Sequence, residues 1–313
     1  MPETPDPATA PTEELSVPDS QYPWWITNAP AAWQPYLLLA RLDRPIGTWL
    51  LLLPCWWGAA LGALYDGDGL PDIWHMFLFA IGALIMRSAG CAFNDLVDKD
   101  LDAQVARTRA RPVAAGLISR AQAFTFSSLL SLIGLLVLVQ FNALTIWLGV
   151  GSVLVVAGYP FMKRITHWPQ AWLGLAFNYG ALLGFTAATD AIAWPMILLY
   201  LSGLVWTLGY DTIYACQDAE DDALVGVKST AQLFGADVPL WIGRFFALQI
   251  VLLVAALLWS GAGLLWTVFL CAPAALMFQR QVQTLKRPNA DHLALFRQHR
   301  GIGLFIFAVL CIL

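Results

Sequence analysis

Long apolar stretches alternate with short polar stretches along most of this 313-residue chain. A helix needs about twenty apolar residues to cross a bilayer, and nine stretches come close to that length. They lie approximately at residues 45–64, 74–94, 121–140, 143–162, 170–188, 193–213, 240–259, 262–280 and 300–313. The pattern therefore predicts an all-α, polytopic membrane protein with about nine transmembrane helices, of which the last is short.

The polar connections between these stretches are of two kinds. Four of them contain no Lys or Arg: 65–73, 141–142, 189–192 and 260–263. Four longer ones contain most of the cations of the chain: 95–120, 163–169, 214–239 and 281–299. Because cytoplasmic loops are enriched in Lys and Arg, we expect the N-terminus and the longer connections to face the cytoplasm. The membrane would be a bacterial cytoplasmic (inner) membrane or the equivalent mitochondrial inner membrane.

The composition agrees with a membrane protein. Charged residues make up 12% of the chain, about half the fraction that is usual in soluble domains. The first 30 residues are rich in Pro, Thr, Asp and Glu and contain no Lys or Arg. We predict that residues 1–35 form a disordered or interfacial tail before a transmembrane domain at 36–313. We expect contact with membrane lipid and no nucleic-acid partner, and we infer no obligatory protein partner.

Two pairs of glycines within the predicted spans have the G-x-x-x-G spacing, Gly58 with Gly62 and Gly180 with Gly184. Small residues at this spacing let the backbones of two membrane helices approach closely. We therefore predict that these glycines serve helix packing and take no part in chemistry.

Three oxygen-bearing side chains follow the second predicted span at every fourth position: Asn94, Asp98 and Asp102. On a helix this spacing places them on one face, where like charges repel each other unless a cation lies between them. Hard oxygen ligands without His or Cys favour Mg²⁺, which commonly shares its coordination with phosphate. The cluster therefore predicts a magnesium site.

A second acidic cluster follows the sixth predicted span. Asp218 and Asp222 are four residues apart, and Asp211 lies seven residues before Asp218 on the same helical face. Since four spans separate the two clusters, we predict two four-helix halves plus a last helix around a central cavity. Each half would supply one carboxylate set, and a diphosphate is the ligand that two such sets suit.

Several cations accompany the acids. Arg107 and Arg111 follow the first cluster, and Lys163 ends the fourth span. They are candidates for gripping phosphate oxygens, although the topology rule alone accounts for some of them. Arg87 is different, because it lies inside the second span, seven residues before Asn94. An arginine at that depth is expected to face the cavity and to pair with an acid or a ligand.

At these residues the chain resembles the UbiA superfamily of intramembrane prenyltransferases, and within it the 4-hydroxybenzoate polyprenyltransferase branch of ubiquinone biosynthesis. The family motifs NDxxDxxxD, RTxxRP and DxxxD match Asn94, Asp95, Asp98, Asp102, Arg107, Thr108, Arg111, Pro112, Asp218 and Asp222. The branch is indicated by the segments at 41–57, 159–170 and 210–230, and the resemblance covers approximately residues 36–313.

The resemblance implies a Mg²⁺-dependent transfer of a polyprenyl group from polyprenyl diphosphate to 4-hydroxybenzoate, at the ring carbon ortho to the hydroxyl. The implied metal ligands are Asn94, Asp98, Asp102, Asp218 and Asp222. Candidate catalytic residues are Asp98, Asp102, Asp211, Asp218 and Asp222. Candidate diphosphate-binding residues are Arg107, Arg111 and Lys163, and candidate acceptor-binding residues are Arg41, Arg44, Tyr159 and Tyr214.

Two alternative functions stay open from the sequence. The acceptor of the same chemistry could be another aromatic compound, a haem or a chlorin, because the acidic motifs serve the whole superfamily. A protein of a different class, an ion-coupled secondary transporter, also has repeated halves and carboxylates within the membrane. Against the transporter, the acids of this chain cluster at span ends rather than near the midplane.

Overall fold

The chain folds predominantly into helices. The computed structural model describes residues 20, 22–105, 108–217, 219, 223 and 226–313. Its helices, numbered in chain order, are α1 Trp24–Thr27, α2 Gln34–Leu39, α3 Ile46–Asp66, α4 Ile73–Asp102, α5 Arg120–Leu138, α6 Ala143–Ile165, α7 Pro169–Phe177, α8 Tyr179–Thr189, α9 Trp194–Ala215, α10 Thr230–Phe234, α11 Val238–Trp259, α12 Leu264–Leu285 and α13 His292–Ile312. A short 3₁₀ turn at Gly235–Asp237 precedes α11. Every regular element in the described part of the chain is helical, so the all-α prediction is confirmed.

Eight helical segments of the described chain are long and apolar enough to cross a membrane. They are Ile46–Asp66, Ile73–Asp102, Arg120–Leu138, Ala143–Ile165, Pro169–Thr189, Trp194–Ala215, Thr230–Trp259 and His292–Ile312. The span predicted at 262–280 forms helix α12, but it is not among the eight. Gln279, Arg280 and Gln281 in the last turns of α12 lower its hydropathy. The count of nine spans is therefore not confirmed.

Two boundaries differ from the prediction in a way that matters for function. Helix α4 is 30 residues long and continues from the apolar span through the first acidic cluster to Asp102. Helix α13 begins at His292 and has 21 residues, so the last span is not short. In both cases the apolar pattern stops at polar residues while the backbone remains helical, because their side chains find burial or partners. His299 in α13, for example, is 0% exposed.

The structure divides into two compact units, which we describe separately. The motif unit consists of the described residues within 1–45 and 88–130. Its small core joins α2, the second half of α4 and the start of α5 through Leu39, Ala92, Val113, Ile118 and Ala123. Tyr36 packs on Phe126 with ring centroids 5.4 Å apart. This core fixes the residues that precede α3 against the helix that carries the first acidic cluster.

The bundle unit consists of residues 46–87 and 131–313 and holds the larger core. Trp57 and Trp206 pack against each other at its centre with ring centroids 4.7 Å apart. Both indole N–H groups have acceptors on α13: Trp57 donates to the Gly303 carbonyl at 2.9 Å, and Trp206 donates to Nδ1 of His299 at 2.8 Å. A buried indole is costly without such an acceptor, so these bonds fix α13 on α3 and α9.

Helices α3 and α8 approach each other at the glycines that the sequence singled out. A methyl group at Gly58 would overlap the Ala181 carbonyl oxygen, and one at Gly184 would overlap the Cys55 carbonyl oxygen. The prediction that these glycines permit close helix packing is confirmed.

Replacing Gly184 by alanine is therefore expected to destabilise the bundle unit. The added carbon meets backbone rather than a movable side chain, so α3 and α8 must separate, and overpacking of this kind costs about 1–3 kcal/mol. The melting temperature of the purified protein in detergent measures the effect. Gly301→Ala is the matched control, because a carbon added there meets no atom within 4 Å. An unchanged melting temperature in Gly184→Ala would contradict the packing account.

Candidate functional site

The last turns of α4 carry a row of buried carboxylates in the motif unit. Asp95, Asp98 and Asp102 are 1%, 0% and 5% exposed, and their i, i+3, i+7 spacing aligns them along one helix face. Asn94, beside this row, is partly buried. Three carboxylates so arranged repel one another and lose hydration, so the row requires cations close by.

Two arginines of the same unit supply part of that positive charge. Arg41 Nη2 donates to both carboxylate oxygens of Asp95, at 2.7 and 2.9 Å. Arg111 Nη1 donates to Oδ2 of Asp102 at 2.8 Å and lies 3.4 Å from Oδ1 of Asp95. Asp95 is therefore the carboxylate that both guanidinium groups share.

Arg41 has an unusual backbone conformation at this contact. Its φ of 57° lies in the left-handed region, which costs a non-glycine residue about 1–2 kcal/mol. Burial lowers the pKa of Arg41, and the Asp95 carboxylate acts in the opposite direction; an arginine stays protonated in either case.

The neighbouring Arg44 pairs through Nε with Asp43 at 2.9 Å, and Ser20 also donates to Asp43. Both arginines expected to bind the acceptor thus have carboxylate partners within their own unit.

The connection after α4 folds back onto the end of the acidic row. The Thr108 hydroxyl donates to the backbone carbonyl of Asp102 at 2.9 Å, and the Arg111 side chain returns to the carboxylate of the same residue. Arg107 lies outside the described residues. The RTxxRP segment thus brings at least one cation to the acids that precede it.

The residues of the first motif suit a magnesium ion that is shared with a phosphate ligand. Within the described ranges no three His, Cys, Asp or Glu side chains form a group that could hold a metal ion alone. Mg²⁺ usually takes one or two carboxylates and completes its shell with water and substrate phosphate. Asp98 and Asp102 provide such oxygen donors; Asp218 and Asp222 lie outside the described residues. The donor set therefore fits an open magnesium–phosphate site and does not form a closed protein cage.

In the bundle unit, the end of α9 carries a second set of polar residues. Asp211 is partly buried and interacts electrostatically with Arg87. Tyr210 is 1% exposed and lies close enough to Asp211, Arg87 and Tyr159 to interact with all three. Tyr214, one turn further along α9, is partly buried and packs on Phe296 with ring centroids 4.8 Å apart. Asp211, Tyr159 and Arg87 thus all lie within electrostatic range of Tyr210.

Arg87 occupies a slot between a glycine and an aromatic ring. Its guanidinium carbon lies 5.5 Å from the centre of the Phe177 ring. On the opposite helix, a carbon added to Gly47 would stand 2.5 Å from Nε and 2.7 Å from Nη2 of Arg87. Nε is buried and has no hydrogen-bond partner within the described part of the chain. A cation held in place without a carboxylate hydrogen bond is suited to receive an anionic ligand.

A chain of buried hydrogen bonds fixes Tyr210. The span Pro169–Thr189 is interrupted at Asn178, where α7 ends and α8 begins. Nδ2 of Asn178 donates to the Gly174 carbonyl at 2.9 Å and to the Thr207 hydroxyl at 2.7 Å, and Thr207 donates to the Tyr210 hydroxyl at 3.1 Å. The Asn178 side chain therefore binds a backbone carbonyl at the helix break and connects the break, through Thr207, to Tyr210 at the polar end of α9.

Hydrogen bonds anchor the chain on both sides of the second acidic motif. The Thr212 and Thr230 hydroxyls are 2.6 Å apart, and the Thr230 N–H donates to Oε1 of Gln170 at 3.1 Å. The Lys228 N–H donates to the Lys163 carbonyl at 3.0 Å, so the returning part of the connection meets the end of α6. Lys163 itself is partly buried in the last turn of α6.

Sequence reasoning gave no role to two residues that the structure makes central. Asp95 belongs to the first family motif, and its spacing of three from Asp98 and seven from Asp102 is the signal that it shares their face. Asp43 is 1% exposed and pairs with Arg44, and no spacing in the sequence indicates this pair. The contact of Gly47 with Arg87 is likewise invisible in the sequence, because 40 residues separate the two.

Comparison with known proteins gives consistent results over most of the chain. The sequence pattern described as the UbiA prenyltransferase family matches residues 51–308. The mitochondrial 4-hydroxybenzoate polyprenyltransferase of Arabidopsis thaliana is 50% identical over 253 residues, which cover 80% of this chain and 61% of that protein. The protein of the same name from Bos taurus is 46% identical over 284 residues, covering 90% of this chain and 76% of that protein. The chain thus spans about three-fifths of the first relative and three-quarters of the second.

A solved structure shares the fold. The UbiA homologue from Archaeoglobus fulgidus bound to GPP and Mg²⁺ superimposes with a TM-score of 0.62 at 16% sequence identity. The similarity covers 88% of this chain and 99% of that one. At this level of identity the likeness concerns the fold.

Proposed function

Because the chain belongs to the UbiA prenyltransferase family, we propose that it transfers a polyprenyl group from polyprenyl diphosphate to 4-hydroxybenzoate in ubiquinone biosynthesis. The relatives that carry this activity in their names are 46% and 50% identical to the chain. The observation that carries the proposal is the buried row of carboxylates on α4, cross-linked by Arg111. Carboxylates buried in this way in a membrane protein are by default a site for an ion or a ligand.

On the donor side, we assign Mg²⁺ to Asn94, Asp98 and Asp102 of the first motif and to Asp218 and Asp222 of the second. A structural relative with this fold is bound to GPP and Mg²⁺, which agrees with the use of a divalent metal and leaves the choice of residues to the motifs of this chain. When bound, the metal supplies Lewis-acid stabilisation of the charge that develops on the departing diphosphate. Arg107, Arg111 and Lys163 hold phosphate oxygens through charge-assisted hydrogen bonds. Departure of diphosphate leaves an allylic cation, and buried aromatic side chains exclude water from it.

On the acceptor side, the carboxylate of 4-hydroxybenzoate requires a cation. Arg41 and Arg44 have carboxylate partners, whereas Arg87 presents a buried Nε without a hydrogen-bond partner among the residues that the structure describes. We therefore move the carboxylate-binding role from Arg41 and Arg44 to Arg87. We further propose that Asp211, which interacts electrostatically with Arg87, helps to position it, and that Tyr159 and Tyr214 of the same unit contribute aromatic surface to the acceptor site. The ring carbon ortho to the hydroxyl then forms a bond to the allylic cation, and the proton of that carbon passes to the departed diphosphate, which restores aromaticity.

The close approach of Gly47 to Arg87 leads to a prediction that affects acceptor binding and not donor binding. In Gly47→Ala the added carbon displaces the Arg87 guanidinium, which is flexible, so the fold tolerates the change while the cation moves. We expect the KM for 4-hydroxybenzoate to rise about tenfold, the effect of roughly 1.4 kcal/mol, with the KM for the prenyl donor nearly constant. Steady-state kinetics in detergent measure both constants.

Gly82→Ala on the same helix as Arg87 is the control for Gly47→Ala. A carbon added at Gly82 meets only Val137 at an ordinary 3.6 Å, so both KM values should stay at the wild-type level. Equal rises of the two KM values in Gly47→Ala would show general damage and would contradict a specific role of the slot.

The chain is an integral membrane protein, and its orientation follows from charge. The longer connections and the N-terminal region hold most of its Lys and Arg residues. We propose that they, together with both acidic motifs, face the cytoplasm in a bacterial inner membrane or the equivalent side of a mitochondrial inner membrane. A cysteine-labelling scan of the connection after α4 and of that after α3, with an impermeant reagent, tests this orientation.

A panel of acceptors tests the substrate assignment. We would offer the purified protein 4-hydroxybenzoate, its methyl ester, a haem and a chlorin, each with the same prenyl diphosphate and Mg²⁺. Product from 4-hydroxybenzoate, with less or none from its methyl ester and none from the haem or the chlorin, supports the proposal; because it forms in detergent without any ion gradient, it also excludes an obligatory transport function. Product from another acceptor alone keeps the prenyl transfer and replaces the acceptor.

A further inference from the structure

The carboxylate of Asp102 accepts a hydrogen bond from Arg111. The distance from Arg111 Nη1 to Asp102 Oδ2 is 2.8 Å, with the two side chains 15% and 6% exposed. Asp102 is also one of the carboxylates assigned to Mg²⁺ in the proposed function, so an inference from this contact rests on that function. A guanidinium and a magnesium ion compete for one carboxylate, because both are cations and both take up its lone pairs.

The carboxylate row on α4 needs such a cation when no metal is bound. Asp95, Asp98 and Asp102 are all at most 5% exposed, and three buried negative charges on one helix face oppose folding unless they are compensated. Arg111 compensates the last of them, and Arg41 compensates the first. These side chains stabilise the row by themselves, and Arg111 must rearrange when a metal takes Asp102.

Asp95 offers Arg111 a second position. The same Nη1 atom that binds Asp102 lies 3.4 Å from Oδ1 of Asp95. Asp95 itself is fixed, since both of its oxygens accept from Arg41. A small shift of Arg111 from Asp102 towards Asp95 would release Asp102 without leaving the guanidinium unpaired in a buried site.

We infer that Arg111 is a placeholder cation that occupies Asp102 until a metal ion displaces it. Asp95, oriented by Arg41, is the positioning residue that retains Arg111 beside the motif after displacement. Retained there, Arg111 directs its other N–H groups to the donor diphosphate. Metal binding and diphosphate binding are thereby coupled through one side chain, and no covalent bond is made or broken in the exchange.

Binding of Mn²⁺ to the purified protein without substrate tests the placeholder role. Free Mn²⁺ is followed by electron paramagnetic resonance for the wild type, Arg111→Gln and Arg109→Gln. Arg109 is exposed and lies two residues away, so its substitution makes the same charge change outside the contact. We expect Arg111→Gln to bind Mn²⁺ about fivefold more tightly or better, the low end of ordinary coupling between competing ligands. Arg109→Gln should match the wild type.

The same variant should lose affinity for the anion while it gains affinity for the metal. With Mn²⁺ saturating, Arg111→Gln is expected to bind inorganic pyrophosphate more weakly than the wild type. A residue that serves only folding would move both affinities in one direction. A residue that only grips diphosphate would leave the affinity for Mn²⁺ alone unchanged.

The role of Asp95 is tested by a double-mutant cycle. Asp95→Asn should weaken Mn²⁺ binding more in the wild-type background than in Arg111→Gln. In the wild type Asp95 accepts the Arg111 side chain that the metal displaces from Asp102, whereas in Arg111→Gln there is no guanidinium to accept. Equal effects in both backgrounds would overturn the role of Asp95. If Asp95→Asn does not fold, the comparison of Arg111→Gln with Arg109→Gln still decides the placeholder role.

The outcomes separate this inference from the proposed function. Mn²⁺ binding that Arg111→Gln leaves unchanged or weakens, or that Arg109→Gln strengthens equally, overturns the inference and leaves the metal assignment standing. No Mn²⁺ binding by the wild type or by Arg111→Gln without substrate overturns the inference, and no Mn²⁺ binding even with pyrophosphate added overturns the metal assignment as well.

Discussion

Replacing Asp98 by alanine is expected to reduce prenyl transfer by at least about 10³-fold, since the loss of one group that stabilises transition-state charge commonly costs that much. Asp98 is 0% exposed and lies at the centre of the carboxylate row. Folding should survive, because removing one of three neighbouring negative charges also relieves repulsion. The rate of product formation measures the first effect, and membrane insertion and the melting temperature measure the second. We expect the same loss of activity in Asp218→Ala.

Asp100→Ala is the matched control for Asp98→Ala. It removes a carboxylate two residues away on the same helix, where Asp100 is exposed and pairs with the exposed Arg120 at 2.7 Å. Exposed pairs contribute about 0–1 kcal/mol, so activity and stability should both stay near the wild type. Substantial turnover by folded Asp98→Ala would contradict the metal assignment.

Replacing Arg87 by methionine is expected to remove recognition of the acceptor carboxylate. A charge-assisted hydrogen bond contributes about 1.5–3 kcal/mol, so kcat/KM for 4-hydroxybenzoate should fall by roughly 10- to 100-fold. Methionine keeps much of the apolar volume between Gly47 and Phe177 and deletes only the cation. Steady-state kinetics with varied acceptor measure the change.

The methyl ester of 4-hydroxybenzoate separates recognition from general damage. The wild type should prefer the acid, because Arg87 pairs with its negative charge, whereas Arg87→Met should use acid and ester at similar rates. A variant that kept the wild-type preference for the acid would show that another cation binds the carboxylate. Arg41 and Arg44 would then be the residues to substitute next.

The helical class and the approximate spans were predictable from the sequence. A helix that crosses a bilayer needs a long apolar stretch, and such a stretch can be recognised in the sequence alone. The limits of α4 and α13 were not predictable. Both helices continue into polar residues whose side chains are satisfied by partners far away in sequence. Asp95, for example, pairs with Arg41 across 54 positions. The pattern of apolar residues indicates how favourably a segment transfers from water into lipid. It contains no information about ion pairs between residues far apart in the sequence.

The candidate site was predictable in composition and only partly in roles. Spacing on one helix identified Asn94, Asp98 and Asp102 as a face, since helical periodicity is local. The roles proposed for Arg41, Arg44 and Arg87 depend on which acids lie near them in space, and the sequence does not contain that information; these roles stay proposals. Asp218, Asp222 and Arg107 lie outside the described residues, so their roles stay predictions.

The most direct test of the central claim is a prenyl-transfer assay with the purified protein. Geranyl diphosphate, and then longer prenyl diphosphates, are incubated with 4-hydroxybenzoate in detergent, with Mg²⁺ or with excess chelator, and the products are identified by mass spectrometry. We predict an acid prenylated on the ring carbon ortho to the hydroxyl, formed only when Mg²⁺ is present. Absence of any prenylated acid from folded protein offered every donor length, with Mg²⁺ supplied, would contradict the assignment.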